Sequence, residues 1–489
     1  MASQEAAEPG AQPAASPTPK KSQKKGKEKP EAAEGARGAA GPEAEIQELT
    51  RAGHRALALG EGREALGCFR KALLLSGATA SPQLRRICAF NLGAAYVETG
   101  KPRKGLEFLL QCQPSEGDGR EELQDLSFSL GAAQEGLQDF PKALQPFSQA
   151  LGHDQVAQAG SRAGTQVQMG CCYLGMKDPA RAAHCFLEAA RSYREAASPE
   201  GTAVALSRAS SSMLQSQRFG AAEILGVLAQ CHSLCDSIPE PRLRGKLYSD
   251  LGLSYSQLHI FSLAAESFHK ALALCSSPRG DRRREAALLQ NLGAAHNALG
   301  SFGTALGWHR RAVALQGALG NRRAQGQCFG NLAYACCQLG NHEGAAQNYL
   351  HALQAFQDTG DVEGQWQACE GLGAACCRLG DPQKAIGHYK EALTLLSQCQ
   401  GTPRAARDRV VQKLTDAIGH QLCLQGHYCQ QGGWVPAPAL GSGSTLPRGT
   451  GRRLQESQVS SDDPASRQPP RSQEPRSRGR TLSLICSLL

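Results

Sequence analysis

The sequence predicts an all-α solenoid of stacked antiparallel helix pairs, because one pattern of small and bulky residues recurs about every 40 positions. The pattern starts with a small residue in nine places: Gly53, Gly93, Gly131, Gly170, Ala209, Gly252, Gly293, Ala333 and Gly373. Sixteen positions later comes a larger residue: Phe69, Leu109, Phe147, Phe186, Leu225, Phe268, His309, Tyr349 and Tyr389. A constant period of this length indicates repeating units, each of which packs only on its neighbours.

The seventh unit shows how the pattern forms two helices. Leu292, Ala295 and Leu299 recur at the spacing of one helical face, which predicts the first helix. The inward residues of the second helix are Ala305, Leu306, Ala312 and Leu315. Gly293 is small because the two helices must approach closely there, and His309 fills the space beside it. Each unit is therefore expected to be one closely packed helix pair.

Glycines punctuate the pattern where helices should end. Within the units the turn glycines are Gly60, Gly100, Gly300, Gly340 and Gly380. Between units the pairs are Gly280-Asp281, Gly320-Asn321 and Gly360-Asp361, which lie about 40 residues apart. Glycine suits the left-handed position that ends a helix. Asp or Asn beside it can cap the next helix with its side-chain oxygen.

This arrangement of small, small, aromatic and small positions resembles the tetratricopeptide repeat (TPR) family. The usual unit of that family has about 34 residues, and the longer unit here resembles the subgroup of Leu-Gly-Asn-repeat G-protein signalling modulators. The resemblance is closest over residues 281–396 and covers roughly residues 43–428. The unit at Ala209 departs from it, because it lacks the aromatic residues. The resemblance implies a right-handed superhelix that binds other proteins.

Composition divides the 489 residues into a nearly neutral repeat region and basic tails. The net charge is +9. Residues 1–42 hold seven basic and five acidic residues, and residues 431–489 hold eight and four, so the tails carry most of the excess. A nucleic-acid-binding protein would more often have a basic face on its folded part. No nucleic-acid partner is therefore expected.

The chain is expected to have four parts. Residues 1–42 form a Lys/Ala/Pro-rich disordered tail, and residues 429–489 an Arg/Ser/Pro-rich one. The repeats divide into an N-terminal group over 43–238 and a C-terminal group over 242–428, since Pro239 and Pro241 break the helical pattern between them. The C-terminal group should end in a capping helix over residues 404–425, because the terminal repeats of solenoids are usually atypical.

Neither a secretory signal nor a membrane span is evident in the sequence. The 19 cysteines are then expected to be reduced, since many lie at helix packing positions, and a cytoplasmic location is expected. Cys231, His232 and Cys235 have no second pair of metal ligands nearby, and ordinary helix packing is the better interpretation. The histidines have no identifiable catalytic partners. No metal, cofactor or enzymatic activity is therefore expected.

The resemblance places a binding groove on the first helix of each unit. The candidate groove residues are Gln290, Ala294, Asn297, Asn331, Tyr334, Gln338, Glu370 and Arg378. Amide side chains both donate and accept hydrogen bonds, so such a face suits an extended peptide backbone. Chaperone-binding TPR proteins hold a terminal carboxylate with Asn after the helix glycine. Here that position holds residues such as Ala94, Leu253 and Tyr334, so such a carboxylate clamp is not predicted.

The final four residues form a separate signal. Cys486-Ser487-Leu488-Leu489 fits the C-a-a-X pattern, and a terminal leucine favours geranylgeranylation. Five arginines precede it within residues 467–480. The sequence thus leaves two functions open: a cytoplasmic, non-catalytic scaffold that binds partner peptides or helices in its groove, and a membrane-tethered adaptor prenylated at Cys486.

Overall fold

The computed structural model describes residues 41–112, 119–152, 159–275, 281–399 and 404–424. Residues 1–40 and 425–489, which hold nearly all of the two predicted tails, lie outside these ranges, and α1 already begins at Pro42. The described part of the chain folds into nineteen α-helices and no strands. They are α1 Pro42–Leu59, α2 Gly62–Ser76, α3 Pro82–Glu98, α4 Pro102–Leu109, α5 Arg120–Gly136, α6 Phe140–Gly152, α7 Ala159–Gly175, α8 Pro179–Glu195, α9 Pro199–Ser216, α10 Ala221–Cys235, α11 Pro241–Gln257, α12 Phe261–Cys275, α13 Arg282–Ala298, α14 Phe302–Ala318, α15 Arg322–Gln338, α16 His342–Asp358, α17 Val362–Arg378, α18 Pro382–Gln398 and α19 Arg404–Leu424.

Consecutive helices pack in sequence order, which confirms the predicted all-α solenoid. The first eighteen form nine pairs, one for each predicted unit, and α19 packs on α18. A helix, α19, lies over Arg404–Leu424, where the capping helix is predicted.

Close approach within each pair depends on the predicted small and bulky residues. A Cβ added at Gly131 would lie 2.7 Å from the ring of Phe147, and one at Gly170 would lie 2.7 Å from Phe186. The glycines of five other units are equally close to their partners: Gly53, Gly93, Gly252, Gly293 and Gly373. The glycine is thus required because any side chain would occupy the space of the bulky residue.

Two units satisfy the same requirement differently. The unit at Ala209 keeps its helix pair without an aromatic residue, since α10 buries Ile224 and Leu228 instead. In the eighth unit Ala333 replaces glycine, and the ring of Tyr349 lies against Gly371 of the following unit. Gly371, on the first helix of the next unit, thus leaves the space for the Tyr349 ring that Ala333 does not leave.

The predicted helix ends are confirmed at the turn glycines. Gly60, Gly100, Gly300, Gly340 and Gly380 all have φ between 73° and 80°. The joints behave similarly: Asp281, Asn321 and Asp361 each accept a hydrogen bond from a backbone amide in the first turn of the next helix. The turns of the middle units have no glycine to mark them in the sequence, and non-glycine residues adopt positive φ there: Gln138, Lys177, Gln217 and His259.

The buried core runs continuously along the middle of the chain. One hydrophobic cluster extends from Ala163 to Cys328, and it includes Ile238 beside the proline-containing segment. A second cluster extends from Ala352 to Ala417 and includes three residues of α19. The division into two groups of repeats at Pro239 and Pro241 stays a prediction.

Candidate partner-binding groove

The eight candidate groove residues lie on three first helices, α13, α15 and α17. These helices begin 40 residues apart, each preceded by the same kind of side-chain cap, so their residues occupy equivalent positions. Ala294 and Tyr334 are therefore equivalent, and so are Gln338 and Arg378. We call the face that carries the eight residues the inner face.

Gln290 is used within the fold. Its side chain is 5% exposed. The amide nitrogen donates to Oε1 of Gln327 at 3.2 Å, and Sγ of Cys328 donates to its carbonyl oxygen at 3.5 Å. Because both ends of the amide are engaged with α15, Gln290 joins two successive first helices.

Asn297 has a similar position nearer the helix end. Its Nδ2 donates to the backbone oxygen of Asn331 at 3.1 Å and lies 3.1 Å from Nε2 of His309. One half-buried amide therefore ties α13 to both its own second helix and the next unit. Asn331 is itself half-buried, as is Ala294.

Glu370 lies beneath the capping helix. The carboxylate is only 4% exposed and accepts hydrogen bonds from Nε and Nη2 of Arg409 at 2.8 and 3.1 Å. Nζ of Lys413 donates to it at 2.9 Å. Burial of an acid is costly unless cations pair with it, and two residues of α19 supply those cations. This candidate residue therefore contacts α19 directly.

Three candidates remain exposed: Tyr334, Gln338 and Arg378. The Tyr334 ring, 44% exposed, makes an edge contact with Phe302, with ring centroids 6.1 Å apart. The Arg378 charge opposes the effect of burial on the pKa of Cys337, which burial raises. Arg378 thus lies within electrostatic range of a residue of α15. Tyr334, Gln338 and Arg378 are the exposed members of the inner face.

Several buried thiols take part in helix packing. Burial raises the pKa of Cys328 to about 12, so this thiol stays protonated at neutral pH. Sγ of Cys235 donates to the backbone oxygen of Cys231 at 3.2 Å, and Sγ of Cys231 donates to that of Ala203 at 3.4 Å. Among the described residues, no group of three or more His, Cys, Asp and Glu side chains could hold a metal ion. None of the helices in these ranges is long and apolar enough to cross a membrane.

Part of the chain matches a known repeat family, and the fold resembles solved helical structures. Residues 322–398, which span α15 to α18, match the tetratricopeptide repeat family. The fold is similar to the crystal structure of the apo form of RapI, with a TM-score of 0.54 and 10% identity over 72% of this chain and 98% of that one. A signal transduction ATPase with numerous domains and a TPR sensor, from Pyrococcus horikoshii, gives a TM-score of 0.48 and 12% identity over 79% of this chain and 62% of that one. The family match thus assigns tetratricopeptide repeats to α15–α18, and the similarity to RapI concerns the fold.

Proposed function

We propose that this protein is a non-catalytic interaction scaffold whose inner face, formed by α13, α15 and α17, binds a peptide or helix of a partner protein. TPR repeats as a class suggest a protein–protein interaction scaffold. Solenoids provide long surfaces for such partners, because successive units present equivalent positions side by side. The resemblance to the Leu-Gly-Asn-repeat G-protein signalling modulators would place this protein in a subgroup of TPR proteins. That resemblance rests on the length of the repeat unit alone.

The exposed ring of Tyr334 is the observation that carries this proposal. At the equivalent positions the neighbouring units have Ala294 and Ala374, so the tyrosine projects from a floor of small residues. Gln338 and Arg378 lie exposed on the same face. Tyrosine and arginine are the residues most often found at the energetic centre of protein interfaces. This combination favours a partner side chain that packs on the ring while its backbone bonds the amide.

The proposed ligand does not need a free carboxylate. The position after the small residue holds Ala94, Ala294, Tyr334 or Ala374, rather than the asparagine of chaperone-binding relatives. Both ends of the Gln290 amide and the Nδ2 of Asn297 already bond neighbouring residues of the fold. An internal peptide or a helix face therefore fits the available side chains better than a chain terminus does.

The test uses the full-length protein and a partner identified by proximity labelling. Tyr334→Ala combined with Arg378→Ala should weaken binding of the purified partner by about tenfold or more, since interface centres contribute about 2 kcal/mol or more each. The control is Leu350→Ala, which removes another exposed side chain, 51% exposed, from the second helix α16. Unchanged affinity in the double variant contradicts the proposal, as does tight binding of a chaperone C-terminal peptide that is lost when the peptide is amidated.

A membrane-tethered adaptor is the second candidate function. The observation that favours it is the Cys486-Ser487-Leu488-Leu489 terminus with its five preceding arginines. These residues lie outside the part of the chain that the structure describes. A single lipid holds a protein to a membrane only marginally, but a nearby basic segment can add a second attraction. The scaffold would then act at a membrane surface.

A further inference from the structure

The helix α19 leaves apolar side chains uncovered at the C-terminal end of the solenoid. Val411 and Ile418 lie seven residues apart on one face of this helix and are 44% and 39% exposed. Leu414 and Leu422 lie on the same face and are half-buried. We call these four residues the α19 stripe.

α19 has the features of the first helix of a further unit. It follows α18 as α17 follows α16, and it contacts α17 as successive first helices contact each other elsewhere. Its three buried residues have the same spacing as three buried residues of α17, so that Ala406, Val410 and Ala417 correspond to Gly364, Ala368 and Ala375. The described part of the chain therefore ends with a tenth unit, of which the structure shows the first helix.

The α19 stripe occupies positions that a second helix covers in a complete unit. By the same correspondence, Val411, Leu414 and Ile418 match Cys369, Leu372 and Cys376 of α17. Those three residues of α17 are at most 6% exposed, and they belong to the hydrophobic cluster that includes Ala385 and Tyr389 of α18. The exposed stripe residues have no comparable cover within the described ranges. The surface therefore fits an apolar helix.

The residues directly after α19 do not predict such a helix. In the other units of the C-terminal group, the second helix begins four residues after the first helix ends, as α18 does after α17. At the matching place after α19 the sequence has Gly432 and Gly433, followed by Pro436 and Pro438. Glycine and proline are the weakest helix formers. Another apolar segment is therefore the better candidate to complete the unit.

We propose that residues 481–489 of the same chain pack as a helix on the α19 stripe, in the position of a second helix. These residues read Thr-Leu-Ser-Leu-Ile-Cys-Ser-Leu-Leu and contain no charged residue, glycine or proline. At helical spacing Ser483 and Ser487 lie on one side, and the leucines and the isoleucine lie on the other. Since so short a helix is marginal in water, it forms when its apolar side packs on α19.

The lengths of the segment and of its tether both fit this arrangement. Nine helical residues span about 13 Å, and the stripe from Val411 to Leu422 spans about 16 Å. The sequence predicts disorder over residues 429–489, and a disordered chain as long as residues 425–480 spans about 40 Å on average, more than the length of α19. A tether of this kind keeps the segment at a high local concentration, so that weak packing is enough to hold it.

A second copy of the chain fits the stripe less well. Four side chains on one helix form a small surface, whereas stable protein interfaces bury about 1,200–2,000 Å² in total. The tether compensates for the small area only within one chain. Docking of the segment is independent of the proposed groove function. It uses Leu488 and Leu489 of the C-a-a-X pattern, so docking and geranylgeranylation are alternative states of these residues.

The test measures hydrogen exchange in the full-length protein produced in bacterial cells, which do not prenylate it. Leu484→Glu combined with Leu488→Glu should make the amides of residues 481–489 exchange at least severalfold faster, because it places charges on the packed side of the segment. Ser483→Glu combined with Ser487→Glu adds the same charge to the polar side. This matched control should leave the exchange rates unchanged.

The reverse change tests the surface of α19. Val411→Ser combined with Ile418→Ser should release the segment, so that residues 481–489 again exchange at least severalfold faster. The control is Gln412→Ser combined with His420→Ser, which changes two exposed residues of α19 outside the stripe. Circular dichroism verifies that each variant keeps its helices.

Protection of residues 481–489 that both test variants remove and both controls retain, in a monomeric protein, supports the proposal. The proposal is overturned if this segment exchanges in the wild type as fast as an unstructured peptide, or if each test variant behaves like its control. Light scattering measures the mass of the protein in solution. A dimer that Val411→Ser with Ile418→Ser dissociates would also overturn the proposal, since a second copy would then cover the stripe.

Discussion

His309 on α14 lies directly against Gly293 on α13, so that any Cβ at residue 293 would overlap the imidazole ring. Sister units place Phe or Tyr at the position of His309. The ring is fully buried, and the Gly293 backbone beside it raises the pKa of His309 by less than burial lowers it. Because burial disfavours the charged form, the pKa of His309 is lowered from 6.5 to about 4.

This burial predicts a loss of stability in mild acid. Between pH 6.5 and 4 the unfolded chain takes up a proton at His309 and the folded chain does not, so the free energy of unfolding falls as pH decreases. The loss contributed by this residue should reach about 3 kcal/mol near pH 4. His309→Phe should remove most of it, which thermal denaturation at pH 7.5 and pH 5 can measure.

Other buried histidines also contribute to the pH dependence of stability. His54 and His296 also have pKa values lowered by burial, so some pH dependence should persist in His309→Phe. An identical change in melting temperature from pH 7.5 to pH 5 in the wild type and His309→Phe would contradict the assignment.

A pair of glycine substitutions tests the close approach of paired helices. Gly252→Ala would place a Cβ 2.5 Å from the ring of Phe268, and this overpacking should lower the free energy of unfolding by about 1–3 kcal/mol. Gly387→Ala on α18 meets nothing within 4 Å and should raise stability by up to about 1 kcal/mol, because alanine favours the helix. Chemical denaturation measures both. Equal effects of the two changes would contradict the packing role of Gly252.

A third prediction concerns the capping helix. Glu370→Gln removes the charge that Arg409 and Lys413 bind, so α19 should separate more readily from α17. Hydrogen exchange of the amides in residues 404–424 should then become at least severalfold faster. Removing one partner of a fully buried ion pair lowers stability by about 3–5 kcal/mol, and by less when the remaining charges are partly exposed. The exposed Glu107 on α4 provides the control, because Glu107→Gln should not change exchange in α19. Unaltered protection of α19 in Glu370→Gln would show that apolar packing alone holds it.

The fourth prediction concerns lipidation. If Cys486 is geranylgeranylated, intact-mass analysis of the protein from cells should show the lipid and the loss of Ser487, Leu488 and Leu489. Cys486→Ser should then shift the protein from the membrane fraction to the supernatant. The matched control is Cys423→Ser, which changes an exposed cysteine of α19. An unmodified C-terminus on all molecules would exclude the tethered adaptor.

Local chemistry explains why much of the fold could be predicted from the sequence. In seven of the nine units the small residue lies against the bulky residue sixteen positions later, so pairs such as Gly131 and Phe147 recur together in the sequence as they do in space. Asn321 and Asp361 cap helices through bonds to amides three residues away, which depend only on neighbouring sequence. Because these requirements involve residues close in the chain, they produce a repeat period that is visible in the sequence.

Which of the candidate groove side chains are exposed and which are bonded depended on tertiary structure much more than the helix pairs did. Tyr334, Gln338 and Arg378 lie exposed on the inner face. The partners of the Gln290 and Asn297 amide nitrogens lie on the next unit, and no local pattern in the sequence shows that these nitrogens are already bonded. The sequence did not show that Glu370 is paired, because the cations that bond it, Arg409 and Lys413, lie 39 and 43 positions later in the chain.

The sequence by itself determined the helix pairs, their period and the residues at their crossings, because helix caps and i to i+4 packing involve residues close in the chain. Only the tertiary structure decided which polar side chains stay free and which pair across units, as Ser207 does with Asp250. The reason is physical: the charge and exposure of a group on a solenoid depend on the neighbouring units, whose side chains lie about 40 residues away and follow no rule of local spacing.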